Sequence, residues 1–206
     1  MTKYLFLSSV LFLLFCSDCF SEQPDSTLRK IIERRLLIDD ASQKLNINPD
    51  FLCAIIYTER ELNYDWSDET LDILLAKTGQ NSSIGFCQIK LKTAYWIEVQ
   101  LSDSACLYYP GREFSNYLPI SKSPKELLEK LTVDSINILY AAAFLRIIQS
   151  RWSKAGFSID NRPDVIGTLY STGLFYPDGT ERLPRRDPEA NEFGRLVKDA
   201  LHIFQE

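Results

Sequence analysis

The chain has 206 residues, of which 23 are basic and 28 are acidic, so its formal net charge is −5. The basic residues form no stripe, which argues against nucleic acid or an anionic membrane face as the main partner. The length is sufficient for one ordinary domain with a sizeable core. No spacing of cysteine, histidine and acidic residues suggests a metal site, and we expect no cofactor.

The N-terminus has the pattern of a secretory signal. Lys3 is followed by the apolar run 4–15, which is too short for a comfortable membrane span. We therefore predict that residues 1–21 are a signal peptide and that the protein has no stable membrane span.

Residues 22–206 are then predicted to form a single exported domain, in the periplasm, in the cell envelope or secreted. A lipoprotein acylated at Cys16 or Cys19 is the less favoured alternative, because Phe15 and Asp18 are poor residues just ahead of a lipid-modified cysteine.

Helical signals dominate the mature chain, and little alternates with the period of a strand. We predict a mainly α fold (α+β at most), with at most a short hairpin between Asn63 and Ile89. The first helix is expected to be capped by Asp25 or Ser26. The predicted helices cover 25–45, a stretch from Pro49, 69–77, a stretch from Pro124, 133–152, 163–173 and a stretch from Pro188.

The second of these helices is the most informative. Asn48 can cap it, Pro49 suits its first position, and residues 51–56 are almost all apolar. Such a helix is expected to be buried all round, and it delivers one carboxylate, Glu59, to its surface. Desolvation there would raise the pKa of Glu59 towards a value useful for a general acid. The alternative is a solvated, idle glutamate.

Three cysteines follow the predicted signal peptide. Export permits one disulfide and leaves one thiol over, with the pairing among Cys53, Cys87 and Cys106 open. Cys53 and Cys87 have apolar neighbours and are expected to be buried. The only histidine, His202, lies in a plain packing pattern near the C-terminus, which disfavours a Cys–His peptidase.

Four signals, including the helix just described from Pro49, occur in a fixed order along the chain. They are the apolar helix that ends at Glu59, the segment Ser-Ile-Gly-Phe-Cys-Gln-Ile at 83–89, Asn137-Ile138 at the start of an apolar helix, and Tyr-Ser-Thr-Gly at 170–173. Together they resemble the lytic transglycosylase domain (soluble-type, goose-lysozyme-like) of the lysozyme superfamily. The resemblance covers roughly residues 48–173.

The resemblance implies a lysozyme-like helical domain and roles for individual residues. Glu59 falls on the catalytic glutamate of the family. Gly85 and Gln88 match the glycine and glutamine of its Gly-Leu-Met-Gln-Ile segment, which lines the groove, and Tyr170 matches the tyrosine of its Tyr-Asn-Ala-Gly segment, which faces the glutamate. The family cleaves peptidoglycan glycan strands between N-acetylmuramic acid and N-acetylglucosamine.

The transglycosylase reaction needs one carboxyl group. That group protonates the leaving oxygen and then takes the proton of the sugar's own 6-hydroxyl, which closes onto the anomeric carbon as a 1,6-anhydro product. A muramidase of the same fold would instead need a second acid to activate water or to attack. Its candidates lie between residues 65 and 72: Asp65, Asp68, Glu69 and Asp72.

The chain also departs from the family pattern. Arg60 stands in place of serine, Tyr64 in place of proline, Cys87 in place of methionine, and Ser171-Thr172 in place of Asn-Ala. If Arg60 paired with Glu59, it would favour the ionised carboxylate and oppose the acid role. A catalytically inactive wall-binding module is therefore a further alternative.

Because the acidic chain gains no electrostatic help in reaching an anionic wall, a cell-envelope protein partner could localise it.

Overall fold

The computed structural model describes residues 24–63 and 83–205, and this part of the chain is mainly helical with one small hairpin. The predicted fold class is thereby confirmed. The predicted signal peptide, the predicted helix at 69–77 and the four candidate second acids lie outside the described residues.

Three helices make up the N-terminal part: α1 (Pro24–Glu33), α2 (Arg35–Leu45) and α3 (Pro49–Asn63). The prediction of one helix over 25–45 is wrong, because Arg34 leaves helical geometry between α1 and α2. Its guanidinium donates to Asp134 at 2.7 Å and lies 4.7 Å from the centroid of the Phe86 ring. These contacts with distant residues hold Arg34 at the break.

The predicted start of α3 is confirmed. The side-chain oxygen of Asn48 accepts a hydrogen bond from the backbone N–H of Asp50 at 2.8 Å, and Pro49 is the first helical residue. All residues of the apolar stretch 51–56 are buried. This stretch anchors α3 in the core and so fixes the position of the next, polar turn of the same helix, which carries Glu59.

A two-stranded antiparallel hairpin lies near the centre of the chain. Its strands, β1 (Ser83–Ile84) and β2 (Ile89–Lys90), pair Ser83 with Lys90 and Ile84 with Ile89. Helix α4 (Leu91–Ser102) follows at once. The predicted short hairpin is confirmed, and the glycine and glutamine of the motif both lie in its connecting turn.

The C-terminal part is helical again. It contains a 3-10 turn (Arg112–Phe114), α5 (Pro124–Leu131), α6 (Asp134–Lys154), α7 (Pro163–Thr172), α8 (Glu192–Ala200) and a final 3-10 turn (Leu201–Phe204). The core centres on α6, whose segment 140–145 is wholly buried, and it is closed by packing of α2 on α6, of α3 on α8 and of α7 on α8.

The predicted start of the last helix at Pro188 is wrong. Helix α8 begins after Asn191, whose side-chain oxygen accepts from the N–H of Gly194 at 2.8 Å and from the hydroxyl of Thr168 at 3.1 Å. A Cβ atom on Gly194 would meet the carbonyl oxygen of Asp164 at 2.0 Å. Close packing on α7 therefore places the start of α8.

One carboxylate is sealed inside this core. Glu98, in α4, is fully buried and accepts hydrogen bonds from the backbone N–H and hydroxyl of Ser121 at 2.8 and 2.7 Å. The Lys130 ammonium donates at 2.9 Å, and the hydroxyl of Tyr140 donates as well. Burial alone would raise the pKa of Glu98, but these donors together hold it below its ordinary value.

In the described part of the chain, no single helix is both long and apolar enough to cross a membrane; α5 and α6 pass that test only as a pair bent by 100°.

Candidate functional site

A cleft of about 250 Å³ opens where α3, the hairpin and the end of α7 meet, and we call it the Glu59 cleft. Three of the four predicted site residues line it: Glu59, Gln88 and Tyr170. The fourth, Gly85, is not part of its lining. The remaining lining residues are Ser83, Ile89, Lys90, Thr93, Phe144, Ser171, Thr172 and Gly173.

Glu59 reaches the cleft from α3. The apolar stretch before it is held in the core, while Glu59 itself is partly exposed on the cleft wall. Phe144 of α6 and Tyr170 of α7 contribute the aromatic part of the lining, with their ring centroids 5.8 Å apart. A carboxyl group is thus accessible from the cleft next to aromatic surface.

Hydrogen bonds from Asn137 hold the turn between the two strands. Its side-chain N–H groups donate to the carbonyl oxygens of Ile84 and Leu131, both at 2.9 Å, and its oxygen accepts from the N–H of Cys87 at 2.7 Å. Asn137 is fully buried, so these three bonds satisfy groups that have no access to water. The sequence pattern singled out Asn137 only as the start of α6.

Gly85 is required by this close approach. Its φ is +72°, which disfavours residues with a side chain. A Cβ atom built there would meet the side-chain nitrogen of Asn137 and the carbonyl oxygen of Leu131, each at 2.4 Å. The structure thus gives Gly85 a structural reason to be glycine, and its role in substrate binding stays a prediction.

Arg60, the departure that put the acid role of Glu59 in doubt, is buried with only 3% of its surface exposed. Its guanidinium donates to the carbonyl oxygen of Gly85 at 3.0 Å and to that of Phe86 at 2.8 and 3.2 Å. Arg60 is therefore not on the helix surface. It links α3, one residue after Glu59, directly to the turn that carries Gln88.

Gln88 lines the cleft from a strained backbone position, with a φ of +53°. Its side-chain N–H donates to the carbonyl oxygen of Gly85 at 3.1 Å, and its backbone N–H donates to the same oxygen at 3.1 Å. The amide is thus held in one orientation by the turn. This bond uses the nitrogen end of the amide and not its oxygen.

Tyr170 lines the Glu59 cleft from α7. Its hydroxyl donates to the carbonyl oxygen of Cys87 at 2.9 Å, so the tyrosine ties α7 to the same turn. Burial raises the pKa of Tyr170 well above its ordinary value, and the nearby groups Cys87 and Glu59 raise it further, while Arg60 opposes them. Tyr170 is therefore a neutral hydrogen-bond donor within reach of the charge of Glu59.

The thiols do not support a Cys–His peptidase. Cys53, Cys87 and Cys106 are all free, and the first two are buried. Burial raises the pKa of Cys53 to about 12 and that of Cys87 higher still, so neither is a thiolate near neutral pH. His202 lies exposed on the final 3-10 turn, with its ring against the carbonyl of Asp199.

Sequence reasoning did not identify several lining residues. Lys90 and Phe144 carry no local signal, because the sequence around a surface lysine or a core phenylalanine does not show whether it lines a cleft. Ser171 and Thr172 were noted only as departures from the family pattern, yet both line the cleft. Within residues 24–63 and 83–205, no group of three or more histidine, cysteine or acidic side chains could hold a metal ion.

A scan against models of known protein families found no match for this chain, and a comparison with curated protein sequences found no significant similarity.

Proposed function

We propose that this chain is a lytic transglycosylase, which cleaves peptidoglycan glycan strands between N-acetylmuramic acid and N-acetylglucosamine. The observation that carries the proposal is the convergence of Glu59, Gln88 and Tyr170 on one cleft. These residues were chosen from the order of short motifs along the chain. They lie far apart in sequence, so their meeting in space is additional support for the motif match.

The lining of the cleft suits a sugar. Phe144 and Tyr170 offer aromatic surface, and the lining also includes the hydroxyl-bearing residues Ser83, Thr93 and Thr172. Carbohydrates present both apolar faces and hydroxyl edges, so a mixed lining of this kind can bind and orient a ring. The amide oxygen of Gln88, whose amide N–H is bound to the turn, would accept from a hydroxyl or acetamido group.

Glu59 is proposed to carry the proton. It would donate to the leaving glycosidic oxygen as the bond to the anomeric carbon breaks, and its carboxylate would then take the proton of the 6-hydroxyl. That oxygen closes onto the anomeric carbon, so the product has a 1,6-anhydro end, Glu59 is protonated again, and no water is consumed. Tyr170 and Arg60 would act as positioning residues, because both bind the backbone of the turn beside Glu59.

One carboxyl group is sufficient for this reaction, whereas hydrolysis needs two. Among the described residues that line the cleft, Glu59 is the only acidic one. A muramidase would need a second acid across the sugar ring, at a separation that leaves room for water or permits direct attack. Its candidates, Asp65, Asp68, Glu69 and Asp72, lie outside the described residues, so the products must discriminate between the two reactions.

The proposed substrate also fits the predicted location. The signal pattern at 1–21 predicts export to the periplasm, the cell envelope or the medium, where peptidoglycan is found. A cell-envelope partner that localises the acidic chain remains part of this proposal.

The test is mass spectrometry of soluble fragments released from purified peptidoglycan. We expect fragments with 1,6-anhydro ends from the unaltered protein and none from Glu59→Gln. Glu61→Gln is the matched control, because Glu61 lies on the same helix but does not line the cleft. Reducing ends would support the muramidase. Sedimentation with the wall without any fragments would support a binding module.

A further inference from the structure

A second cleft, of about 720 Å³, adjoins the Glu59 cleft. It lies between α7 and the segment 176–191, and Thr172, the last residue of α7, lines both clefts. Its volume falls within the range of about 300–1,000 Å³ typical of small-ligand sites. We call it the arginine cleft, after Arg182 and Arg185, which contribute to its lining.

The side chain of Arg182 is held in place by Tyr176 in an orientation that suits an anion. Its guanidinium lies 3.9 Å from the centroid of the Tyr176 ring, so the aromatic face fixes the plane of the charged group. Its Nε is buried and has no hydrogen-bond partner among the described residues, and the side chain forms no ion pair with any of them. A cation stacked in this way presents its N–H groups in a fixed fork.

A second donor in the lining is also unsatisfied. Trp152 is only 3% exposed, and its buried indole N–H has no acceptor in the part of the chain that the structure describes. Buried donors without acceptors are uncommon in folded proteins. Trp152 and Arg182 thus each add one unsatisfied buried donor to the residues that line the arginine cleft.

The acidic residues of the arginine cleft do not cancel its positive charge. Glu181 is paired with Arg151, which donates to its two oxygens at 2.7 and 3.1 Å, and Tyr108 binds it as well. Glu189 is exposed to solvent. An incoming carboxylate therefore meets the unpaired Arg182 and the exposed Arg185.

We propose that the arginine cleft binds the short peptide that branches from a peptidoglycan strand, with Arg182 binding a free carboxylate of that peptide. The inference rests on the proposed function, because a glycan in the Glu59 cleft would bring its peptide past Thr172. The planar guanidinium matches a carboxylate with two parallel hydrogen bonds.

The first experiment measures binding without catalysis. The purified chain is titrated by calorimetry with the synthetic peptide L-Ala-γ-D-Glu-L-Lys-D-Ala and with the same peptide whose carboxylates are amidated. We expect Arg182→Gln to weaken binding of the acid form about tenfold, as for loss of a charge-assisted hydrogen bond, and amidation to do the same. Arg112→Gln, an exposed arginine outside the cleft, should bind as the unaltered chain does.

Arg185→Gln is the second variant, because Arg182→Gln alone could lose binding through a folding defect. Arg185 is exposed, so its loss should leave folding intact and weaken binding by a smaller factor. Equal affinity of the acid and amidated peptides, equal affinity of all four proteins, or no binding at all would overturn the inference.

The second experiment compares cleavage of peptide-bearing strands with cleavage of strands stripped of peptide by an amidase. We expect Arg182→Gln to lower kcat/KM about tenfold on the first substrate and to leave the second unchanged. An equal loss on both substrates would contradict a peptide subsite. If neither substrate yields fragments, the proposed function fails, while Arg182-dependent peptide binding would still support the arginine cleft as a carboxylate site.

Discussion

Glu59 and Glu98 are both carboxylates on helices that enter the core, and the structure treats them in opposite ways. Glu98 is sealed from solvent and surrounded by donors from Ser121, Lys130 and Tyr140. Glu59 is partly exposed on the wall of a cleft, beside a neutral tyrosine. A fully bonded buried carboxylate stabilises the fold and offers no proton to a ligand, whereas a carboxyl group on a cleft wall is accessible to a leaving oxygen.

The comparison predicts that substitution of Glu59 lowers activity, whereas substitution of Glu98 lowers stability. Glu59→Gln should reduce fragment release roughly a thousandfold, in the range expected for loss of a general acid, which is about 4 kcal/mol in transition-state stabilisation. The free energy of unfolding should change by less than about 0.5 kcal/mol, because the replacement is close in shape and partly exposed. Fragment release is measured with saturating enzyme, and stability is measured by urea unfolding. A Glu59→Gln protein that still releases fragments at the unaltered rate would contradict this assignment of roles.

Glu98→Ala should show the reverse. Removal of this carboxylate leaves the buried donors of Ser121 and Tyr140 without their acceptor and takes one partner from Lys130, so we expect a loss of about 3 kcal/mol in the free energy of unfolding. Urea unfolding checks the value, with Glu129→Ala as control, because Glu129 is an exposed acid on α5 and its loss should cost less than about 0.5 kcal/mol. The folded Glu98→Ala protein should retain its activity; inactivity of the folded protein would mean that Glu98 also serves the site.

The turn below the Glu59 cleft tests how the site is supported. Gly85→Ala should cost about 3 kcal/mol of stability, because it adds the strain of a positive φ to a clash with Asn137 and the carbonyl of Leu131. Gly179→Ala is the matched control: its φ is +85°, but nothing lies within 4 Å of the added Cβ, so it should cost only about 1 kcal/mol. Thermal and urea unfolding of both variants measure the difference, and equal costs would show that the turn can relax.

The smallest effect concerns pH. The pKa of Glu98 is lower in the folded chain than its ordinary value of 4.5, so the folded state prefers the ionised form. Its contribution to stability is present above pH 4.5 and is lost as the pH falls from there through the folded pKa. The difference in unfolding free energy between the unaltered chain and Glu98→Gln should therefore be constant near neutral pH and narrow below pH 4.5. A difference that stays constant down to low pH would contradict the assigned donors.

Local signals account for the parts of the fold that were predicted correctly. Pro49, the capping Asn48 and the apolar run after them specify the start and burial of α3 without help from the rest of the chain. Likewise, the hydroxyl of Ser123 accepts from the N–H of Glu126 and starts α5 as expected.

Contacts between distant residues account for the errors. At the break, Arg34 pairs with Asp134, which is 100 residues away. Asn191, which caps α8 through the N–H of Gly194, also accepts from the distant Thr168. No window of neighbouring residues contains either partner, so local patterns favoured a continuous first helix and an earlier last one.

The same division applies to the site. The motif order identified Glu59, Gln88 and Tyr170, but it did not reveal that Arg60 supports the turn through the carbonyls of Gly85 and Phe86. In the sequence, an arginine after the key glutamate looks like a competitor for its charge. The fold shows that its guanidinium also binds backbone oxygens of the turn.

The most direct test of the central claim is cleavage of purified peptidoglycan in heavy-oxygen water, followed by mass spectrometry of the released fragments. If Glu59 takes the proton of the sugar's own 6-hydroxyl, the new ends are 1,6-anhydro, carry no heavy oxygen, and are absent when Glu59→Gln is used. Incorporation of one heavy oxygen at each new reducing end would show that water is the nucleophile and would contradict the transglycosylase reaction.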